Sequence, residues 1–468
     1  MENHPSGNTR RFHLRVFGCQ MNFYDGELIR ESFIARGYQE TENPDEAQVV
    51  LFHTCSVREN AEERVHGILS SLRNRKKVDP NLVIGVVGCM ADREGEELFL
   101  REGHVDIVCG SRHFPQLPSL VDRVRGGEER VLELGEAKAP VDQPIRDLTG
   151  RPSSWSAHIA VMRGCDMNCT YCIVPSVRGR VESRSIGEIC HEVEGLVDRG
   201  VTEIHLLGQT IDSYGRDFPA NERPSLAKLL DSLAEVPGLL RVRLITLHPS
   251  YVNQELVDAM ARSPQFHRFL PIPMQSGSDK MLRAMKRGYN LDMYRQKVNL
   301  LRQAMPDLEL ISDWIVGFPG ETKEDHELSE AAMEEFGFLQ SYVFQYSPRP
   351  GTVAFEIPDD VPGEVKKNRN HRLLALQRRI SSHRTPLWQG KESHLLLEQL
   401  AKDRNDLWVG RIHNGHYATI PSQNGFRAGQ MHRVVLNGYD GRALQAESLE
   451  MVGEPNTLPP LPVLPLLG

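Results

Sequence analysis

The sequence has no apolar run that approaches the length needed to span a bilayer, so we expect no membrane association. Its first residues, MENHPSGNTRRF, contain no apolar signal core, and we expect a short disordered leader on a cytoplasmic protein. Cysteine is scarce, with eight residues in 468. In a reducing compartment we do not expect these cysteines to form a disulfide framework. Metal binding or catalysis is the better interpretation.

Positive charge is in deficit as well, because the formal net charge is −8. This argues against an unspecific nucleic-acid binder, although it leaves room for a local basic patch. Hydrophobic residues make up 40% and charged residues 25% of the chain, as is usual for globular proteins. A chain of 468 residues predicts roughly two to four domains.

Three apolar segments near the N-terminus each end in a cysteine and precede a helical pattern. They are HLRVFGC, QVVLFHTC and LVIGVVGC, and a fourth, VDIVCG, follows. We predict helices from about Tyr24 to Arg36, Arg58 to Arg75 and Glu94 to Arg101. Short apolar runs that alternate with helices predict an open parallel α/β sheet in a domain of residues 12–125.

The cysteines of the first three strands, Cys19, Cys55 and Cys89, fall at carboxyl ends, where open α/β sheets bind ligands. A single such cysteine would be interpreted as a small buried hydrophobe. Three in the same position of successive units favour a site. Cys109 ends the fourth strand; it could be a spare ligand, but a buried hydrophobe is the favoured interpretation.

Composition and predicted secondary structure divide the remainder of the chain into four segments. Residues 126–155 are charged and aperiodic and are predicted to be a linker. Residues 156–386 contain six strand-then-helix units, which predict a parallel barrel or partial barrel. Residues 387–452 contain short strands separated by Gly, Asn and Asp, which predict a small antiparallel barrel. The Pro-rich tail, 453–468, is expected to be extended.

The segment RGCDMNCTYC places Cys165, Cys169 and Cys172 just after the first strand of the predicted barrel. Zinc would need a second ligand pair, and neither His158 nor Cys190 is paired at ligand spacing. An iron–sulfur cluster needs several thiolates in a compact loop, which this segment supplies. Three protein ligands on four irons would leave one iron open, and the glycine before the first cysteine permits close backbone approach.

This motif, with Tyr171 before its last cysteine, resembles the signature of the radical S-adenosylmethionine superfamily. The resemblance implies that the amino and carboxylate groups of S-adenosylmethionine bind the open iron. It also implies that cleavage of the sulfonium gives a 5′-deoxyadenosyl radical, so that the cofactors carry the chemistry and no side chain is assigned as catalytic.

Further segments narrow the resemblance to the methylthiotransferase family. They are RGCDMNCTYCIVPSVRGRVESR, LLGQTIDSYG, MQSGSDKMLRAMKRGY, DWIVGFPGET, YSPRPGT, HTCSVRENAEE and VVGCMADREGEEL. The stretch GCQMN is similar to that of the MiaB-type tRNA enzymes, which methylthiolate C2 of N6-isopentenyladenosine next to the anticodon. Members that act on threonylcarbamoyladenosine or on a ribosomal protein aspartate usually differ there.

The family resemblance implies two 4Fe–4S clusters, the second held by Cys19, Cys55 and Cys89. One S-adenosylmethionine would give the methyl group, a second the radical, and the auxiliary cluster the sulfur. The implied partners are the anticodon stem-loop of tRNA and an electron donor such as flavodoxin or ferredoxin, with a monomer expected. A non-catalytic zinc- and RNA-binding protein is the alternative from a different class.

The last domain is similar to a TRAM module, a small RNA-binding barrel. Gly410 and Arg411 fit its pattern, whereas the following IHNGHYATIPSQNGF departs from it. Basic residues that could contact phosphate form two groups: Arg178, Arg180 and Arg184, and then Lys366, Lys367, Arg369, Arg372, Arg378, Arg379 and Arg384. A charge run is more often a solvated face, but beside a predicted RNA-binding module phosphate contact is the better hypothesis.

Two polar residues are candidates for contact with S-adenosylmethionine. Gln209 follows the second barrel strand and Asp313 lies near the start of the fifth, towards the rim where barrel chemistry occurs. The alternative for each is an ordinary hydrogen-bonded residue. The turn GFPGE, residues 317–321, could approach the adenine or be purely structural.

Overall fold

The computed structural model describes residues 10–56, 59–135 and 155–456, which form two compact units. The first unit contains 10–56 and 59–135 together with Arg163–Met167 and Ile173–Val181. The second contains 155–162, Asn168–Cys172 and 182–456. Most of the predicted leader, linker and tail lie outside the described residues. Within the described ranges, no helix has both the length and the apolar character of a membrane span.

The first unit is built on a parallel sheet, which confirms the predicted fold of the N-terminal region. The strand order is β2-β1-β3-β4-β5-β6, and neighbouring strands pair in parallel. The strands are β1 (Arg11–Val16), β2 (Gln39–Glu40), β3 (Val49–Thr54), β4 (Val83–Gly88), β5 (Ile107–Cys109) and β6 (Val131–Glu133). The helices are α1 (Gln20–Ile34), α2 (Glu59–Val78), α3 (Cys89–Glu94), α4 (Glu97–Arg101), α5 (Leu117–Arg125) and α6 (Val174–Arg178).

The central strands of this sheet explain its strong sequence signal. Every residue of β3 and β4 is buried, as expected of parallel strands that are covered on both faces. The helix predicted from Glu94 to Arg101 is instead two short helices, α3 and α4. Gly95 lies between them with a φ of +54° and a ψ of −130°, a conformation that favours glycine and ends the helix.

The sheet is wider than the sequence predicted. Strand β6 lies inside the predicted linker 126–155 and pairs in parallel with β5, with Val131 opposite Ile107. Strands β2 and β6 contain only two and three residues, too few to show a period of their own. Arg163–Met167 and Ile173–Val181, which the sequence placed in the central domain, belong to the first unit.

The second unit begins with the predicted partial (β/α)6 barrel. Its six main strands form two parallel sheets, β11-β10-β7 and β12-β13-β14. The backbone N–H of Leu247, just beyond β11, donates to Pro271 O of β12 at 3.0 Å and connects the two sheets. The strands are β7 (Ser156–Ala160), β10 (Glu203–Leu207), β11 (Arg241–Ile245), β12 (Phe269–Pro271), β13 (Glu309–Val316) and β14 (Gln340–Gln345), with the short β8 (Met162–Arg163) and β9 (Glu182–Ser183) after β7. The helices are α7 (Ile186–Asp198), α8 (Leu226–Ala234), α9 (Gln254–Arg262), α10 (Asp279–Ala284), α11 (Leu291–Ala304), α12 (Lys323–Phe336) and α13 (Gly363–Arg384).

A small closed barrel completes the second unit, as predicted. Its strand order is β15-β16-β17-β19-β18, antiparallel except for the β17–β19 pair. The strands are β15 (Glu392–Ala401), β16 (Arg404–Ile412), β17 (Tyr417–Pro421), β18 (Met431–Tyr439) and β19 (Leu444–Gly453). Alternate apolar side chains point inward; Leu395, Ile412, Val434 and Leu436 are among those completely buried in its core.

The turn between β16 and β17 attaches this barrel to the (β/α)6 barrel. His413 O accepts from the backbone N–H of Arg268 at 2.7 Å, and Asn414 Nδ2 donates to Asp307 O at 3.2 Å. Gly415 has a φ of +92°, and a Cβ there would lie 2.4 Å from Phe269 Cγ. His413, Asn414 and Gly415 of the IHNGHYATIPSQNGF stretch thus form a packing contact within the second unit.

We predict that Gly415→Ala destabilises the second unit more than Gly425→Ala. Both glycines have positive φ, +92° and +91°, so each alanine adds about 1–2 kcal/mol of backbone strain. Only at Gly415 does the new Cβ also meet a packed ring, which should add about 1–3 kcal/mol of overpacking. Urea denaturation midpoints of the two variants measure the difference. Equal losses would contradict the packing contact.

Candidate functional site

The structure brings Cys19, Cys55 and Cys89 to one edge of the first-unit sheet. They follow β1, β3 and β4, which are neighbours in the sheet, so their carboxyl ends meet. Gly18 has a φ of +118°, and a Cβ on it would lie 2.4 Å from Cys55 Cβ. A side chain at Gly18 would therefore push Cys55 away from Cys19.

The first of these cysteines favours the thiolate, which is the form that binds metals. A hydrogen bond from the Cys55 thiol is the main cause that lowers the pKa of Cys19 to about 5. Burial opposes this shift, while Arg178 and backbone N–H groups at the start of α1 assist it. Burial raises the pKa of Cys89, and Arg178 opposes that rise through its charge and a hydrogen bond.

A buried ionic cluster lies beside this edge. The Asp25 carboxylate, fully buried on α1, is 2.7 Å from Arg163 Nη1 and 3.3 Å from Arg178 Nη1. Arg178 Nη2 also donates to Asn22 Oδ1 at 2.8 Å. Burial alone would raise the pKa of Asp25, but the two arginines lower it. Burial lowers the pKa of the neighbouring His53 to about 4, so His53 is neutral at pH 7.

The remaining two cysteines have ordinary surroundings. The Cys109 thiol is completely buried and lies 3.6 Å from Gly110 O, and burial raises its pKa well above the usual value. Such a thiol is inert, which supports the interpretation of Cys109 as a buried hydrophobe. Cys190 is half-buried on α7, and burial raises its pKa too.

The loop that carries the other three predicted ligands is organised by its backbone. In the first unit, Cys165 N–H donates to Gly179 O at 3.1 Å. Gly164 has a φ of +72°, and a Cβ there would lie 1.9 Å from Arg180 O, so the predicted close approach of backbone at this glycine is confirmed. In the second unit, Cys172 N–H donates to Cys169 O at 3.1 Å.

Arg287 supplies a cation to this loop within the second unit. Its Nη1 donates to Cys169 Sγ at 3.1 Å and to the Tyr171 hydroxyl at 3.4 Å, and its Nε donates to the Tyr289 hydroxyl at 3.2 Å. An arginine that donates to a cysteine sulfur stabilises the thiolate. Among the described residues, no group of three or more His, Cys, Asp or Glu side chains is arranged to hold a single metal ion.

The sequence predicted no metal-site role for Arg163 or Arg287, and it predicted that Arg178 contacts phosphate. Each of the three is followed by glycine, in RGC, RGR and RGY. Those glycines have φ values of +72°, +71° and +71°, a conformation that other residues rarely adopt. The same pair also occurs at Arg36, Arg125 and Arg199, so it does not distinguish these three arginines in the sequence.

The two predicted contacts of S-adenosylmethionine lie at different depths of the barrel. Gln209 follows β10, and its Oε1 is buried without a hydrogen-bond partner among the described residues. Such an atom fits a ligand that donates a hydrogen bond. Asp313 lies within β13, opposite Tyr342 of β14. The GFPGE turn is braced by Glu321, whose carboxylate accepts from Gly317 N–H and Arg369 at 2.6 Å each.

Most of the predicted phosphate contacts already have carboxylate partners. On α13 the ion pairs are Lys366–Asp359, Arg369–Glu321, Arg372–Glu330, Arg379–Glu334 and Arg384–Glu309. Arg178 is buried, and Arg184 donates to Glu192 at 2.6 Å. Arg372 and Arg379 are exposed but paired, whereas Arg180, Lys367 and Arg378 are exposed and have no ion pair among the described residues. The last three are the better candidates for contact with RNA.

Two family models match the chain. The model described as uncharacterized protein family UPF0004 matches residues 11–110, and that of the radical SAM superfamily matches 159–332. Among solved structures, the chain is similar to the radical S-adenosylmethionine methyltransferase TsrM of Kitasatospora setae, with a TM-score of 0.55, 15% identity, and coverage of 74% of this chain and 77% of that one. The chain is also similar to the cobalamin-dependent S-adenosylmethionine radical enzyme OxsB, with a TM-score of 0.53, 11% identity, and coverage of 79% of this chain and 56% of that one. At these identities the likeness shows the fold alone.

Curated relatives match nearly the whole chain. The tRNA-2-methylthio-N(6)-dimethylallyladenosine synthase of Sulfurihydrogenibium sp. is 40% identical over 86% of this chain and 91% of its own length. The enzyme of the same name from Aquifex aeolicus is 35% identical over 95% of this chain and 100% of its own length. Identity at this level over most of both lengths shows that the chain belongs to the family of tRNA-2-methylthio-N(6)-dimethylallyladenosine synthases.

Proposed function

We propose that this chain adds a methylthio group to C2 of N6-isopentenyladenosine next to the anticodon of tRNA. The names of its relatives supply the substrate and the reaction. The observation that carries the proposal is the convergence of Cys19, Cys55 and Cys89 on one sheet edge beside the buried Arg178 and the partly buried Arg163. A cluster with an open iron at that edge would give the reaction its sulfur.

The residues present fit the cofactors of the family. Cys19, Cys55 and Cys89 would hold one 4Fe–4S cluster, and Cys165, Cys169 and Cys172 the other. When bound, the two clusters and two molecules of S-adenosylmethionine supply the sulfur, the methyl group and the radical that breaks the C2–H bond.

Individual side chains then position these groups. Arg287 would stabilise the thiolate of Cys169 through its 3.1 Å hydrogen bond. The buried Gln209 Oε1 would accept a hydrogen bond from S-adenosylmethionine, and Asp313 would contact the same molecule. The target adenine must leave its stack to reach the site, as in other enzymes that modify bases.

The same proposal includes the cellular location, the oligomeric state and the partners of the enzyme. We place the enzyme in the cytoplasm as a monomer, with flavodoxin or ferredoxin as electron donor. In the TRAM-like barrel, Arg411 pairs with Glu398 and Arg433 with Glu450. Contact with tRNA phosphates is therefore assigned first to the exposed Lys367 and Arg378 of α13, about three turns apart and so on one face.

The cysteines test the two clusters. After anaerobic reconstitution we expect roughly eight irons per chain, falling to about four in Cys89→Ser or in Cys165→Ser, with loss of product in both. Cys190→Ser, a half-buried cysteine outside both sets, should keep its iron and activity. Iron assays and nucleoside analysis give the readouts. Full loading and unchanged product in Cys89→Ser would refute the auxiliary cluster.

The substrate assignment is tested with tRNA itself. Reconstituted enzyme, dithionite, S-adenosylmethionine and isopentenylated tRNA should yield the methylthiolated nucleoside, identified by mass spectrometry. The same tRNA without the isopentenyl group is the control and should remain unmodified. Product only with threonylcarbamoylated tRNA, or only on a ribosomal protein aspartate, would instead identify one of the two alternative reactions. A colourless chain that carries zinc would support a binding protein.

The RNA-binding face is tested by salt dependence. Because neutralised phosphates release counterions, removal of Lys367 and Arg378 together should weaken tRNA binding and reduce the slope of log K against log salt by about 1–2. Arg372→Ala removes a cation already paired with Glu330 and should change the slope little. Binding titrations at several salt concentrations measure both. An affinity independent of salt would contradict phosphate contact.

A further inference from the structure

Arg178 occupies a buried position that phosphate contact cannot explain. Its guanidinium lies between Asp25, Asn22 and the cysteine edge of the first unit. A hydrogen bond links it to Cys89, and its charge also acts on Cys19. A side chain that is 5% exposed cannot reach a phosphate in solution.

Two hydrogen bonds from other residues of the first unit hold the backbone of the segment that carries Arg178. Ser111 Oγ donates to Val177 O at 2.8 Å, and Arg112 Nη2 donates to Arg178 O at 2.9 Å. Ile173 and Val177 pack against Cys89. Backbone and side chain are thus both held, so the charge of Arg178 has a defined place next to the thiols.

We propose that Arg178 is a positioning residue for the iron–sulfur cluster assigned to Cys19, Cys55 and Cys89, and that its charge sets the reduction potential of that cluster. This inference rests on the proposed function, which assigns the cluster. It adds that the cysteine edge is electrostatically prepared for an anion before any metal arrives.

The charge balance supports this role. The buried ionic cluster contains two guanidinium groups and one carboxylate, Arg163, Arg178 and Asp25, and so carries a surplus of one positive charge. His53 is neutral there. Asp92 is the acidic group that acts on Cys89; it opposes Arg178, and its carboxylate accepts from Ser111 N–H at 2.7 Å. A buried surplus cation favours negative charge nearby, because water cannot screen it, and Asp92 and the Cys19 sulfur supply part of that charge in the absence of a cluster.

A cluster bound by three thiolates supplies further negative charge. Its oxidised form carries four irons with two positive charges on the inorganic core, so three thiolates leave one net negative charge, and one-electron reduction adds a second. A neighbouring cation stabilises the more negative form and raises the reduction potential, since net charge and hydrogen bonds to sulfur set this potential. Arg178 supplies both.

The test uses the full chain with Cys165→Ala, Cys169→Ala and Cys172→Ala, so that the auxiliary cluster alone is titrated. In this background, Arg178→Met should lower the reduction potential and Asp25→Asn should raise it, because they remove charges of opposite sign. The double variant restores the surplus of one charge and should return towards the starting value. We expect about tenfold changes in the reduction equilibrium, or 59 mV for one electron. Anaerobic redox titration followed by electron paramagnetic resonance gives the potentials.

The controls separate electrostatics from damage to the fold. Arg36→Met removes an exposed arginine of the same unit, paired with Asp122 at 3.1 Å, and should leave the potential unchanged. If Arg178→Met fails to hold iron, Asp25→Asn decides: a raised potential supports the inference, and a lowered or unchanged one overturns it. A background protein without iron would refute the auxiliary cluster and this inference with it. A loaded cluster insensitive to both substitutions would refute the inference alone.

Discussion

A carboxylate shielded from water is stable only if cations replace its hydration, and Asp25 on α1 is in that position. Its two partners, Arg163 and Arg178, lie about 140–155 residues further along the chain. The first unit therefore includes two short segments of downstream sequence, on either side of Asn168–Cys172. The ionic cluster also orders the cysteine edge, because Arg178 brings Ile173 and Val177 against Cys89.

Parallel pairing supplies the other half of the arrangement. Parallel strands present all their carboxyl ends at one edge, so residues far apart in sequence become neighbours there. Cys19 caps the start of α1, and backbone N–H groups of Met21 and Asn22 lower the pKa of its thiol. The same edge thus combines thiols, the N-terminus of α1 and a buried cation, and the last two favour negative charge.

The sequence predicted the features that depend on local periodicity. The main strands of the first-unit sheet, the six barrel strands and the closed C-terminal barrel could all be derived from apolar patterns, and the Cys19, Cys55 and Cys89 edge followed from topology. The role of Arg178 could not be predicted in this way. An arginine is expected to be exposed to solvent unless a buried carboxylate partner, here Asp25, is known. Strand β6 was missed since three residues carry no period. The contacts of the IHNGH turn could not be predicted from local sequence, because the residues it packs against, Asp307 and Phe269, lie more than 100 residues upstream.

The use of arginine inside the second unit has a consequence for substrate recognition. A cation already paired with a carboxylate releases fewer counterions when it meets a phosphate, so it contributes less to RNA affinity. Five basic residues of α13 are paired in this way, and the chain as a whole is negatively charged. Under the proposed function, phosphate contact would position tRNA through a few exposed cations such as Lys367 and Arg378. Selection of the modified adenosine would then come mainly from contacts with the base itself, which carry the sequence information that phosphates lack.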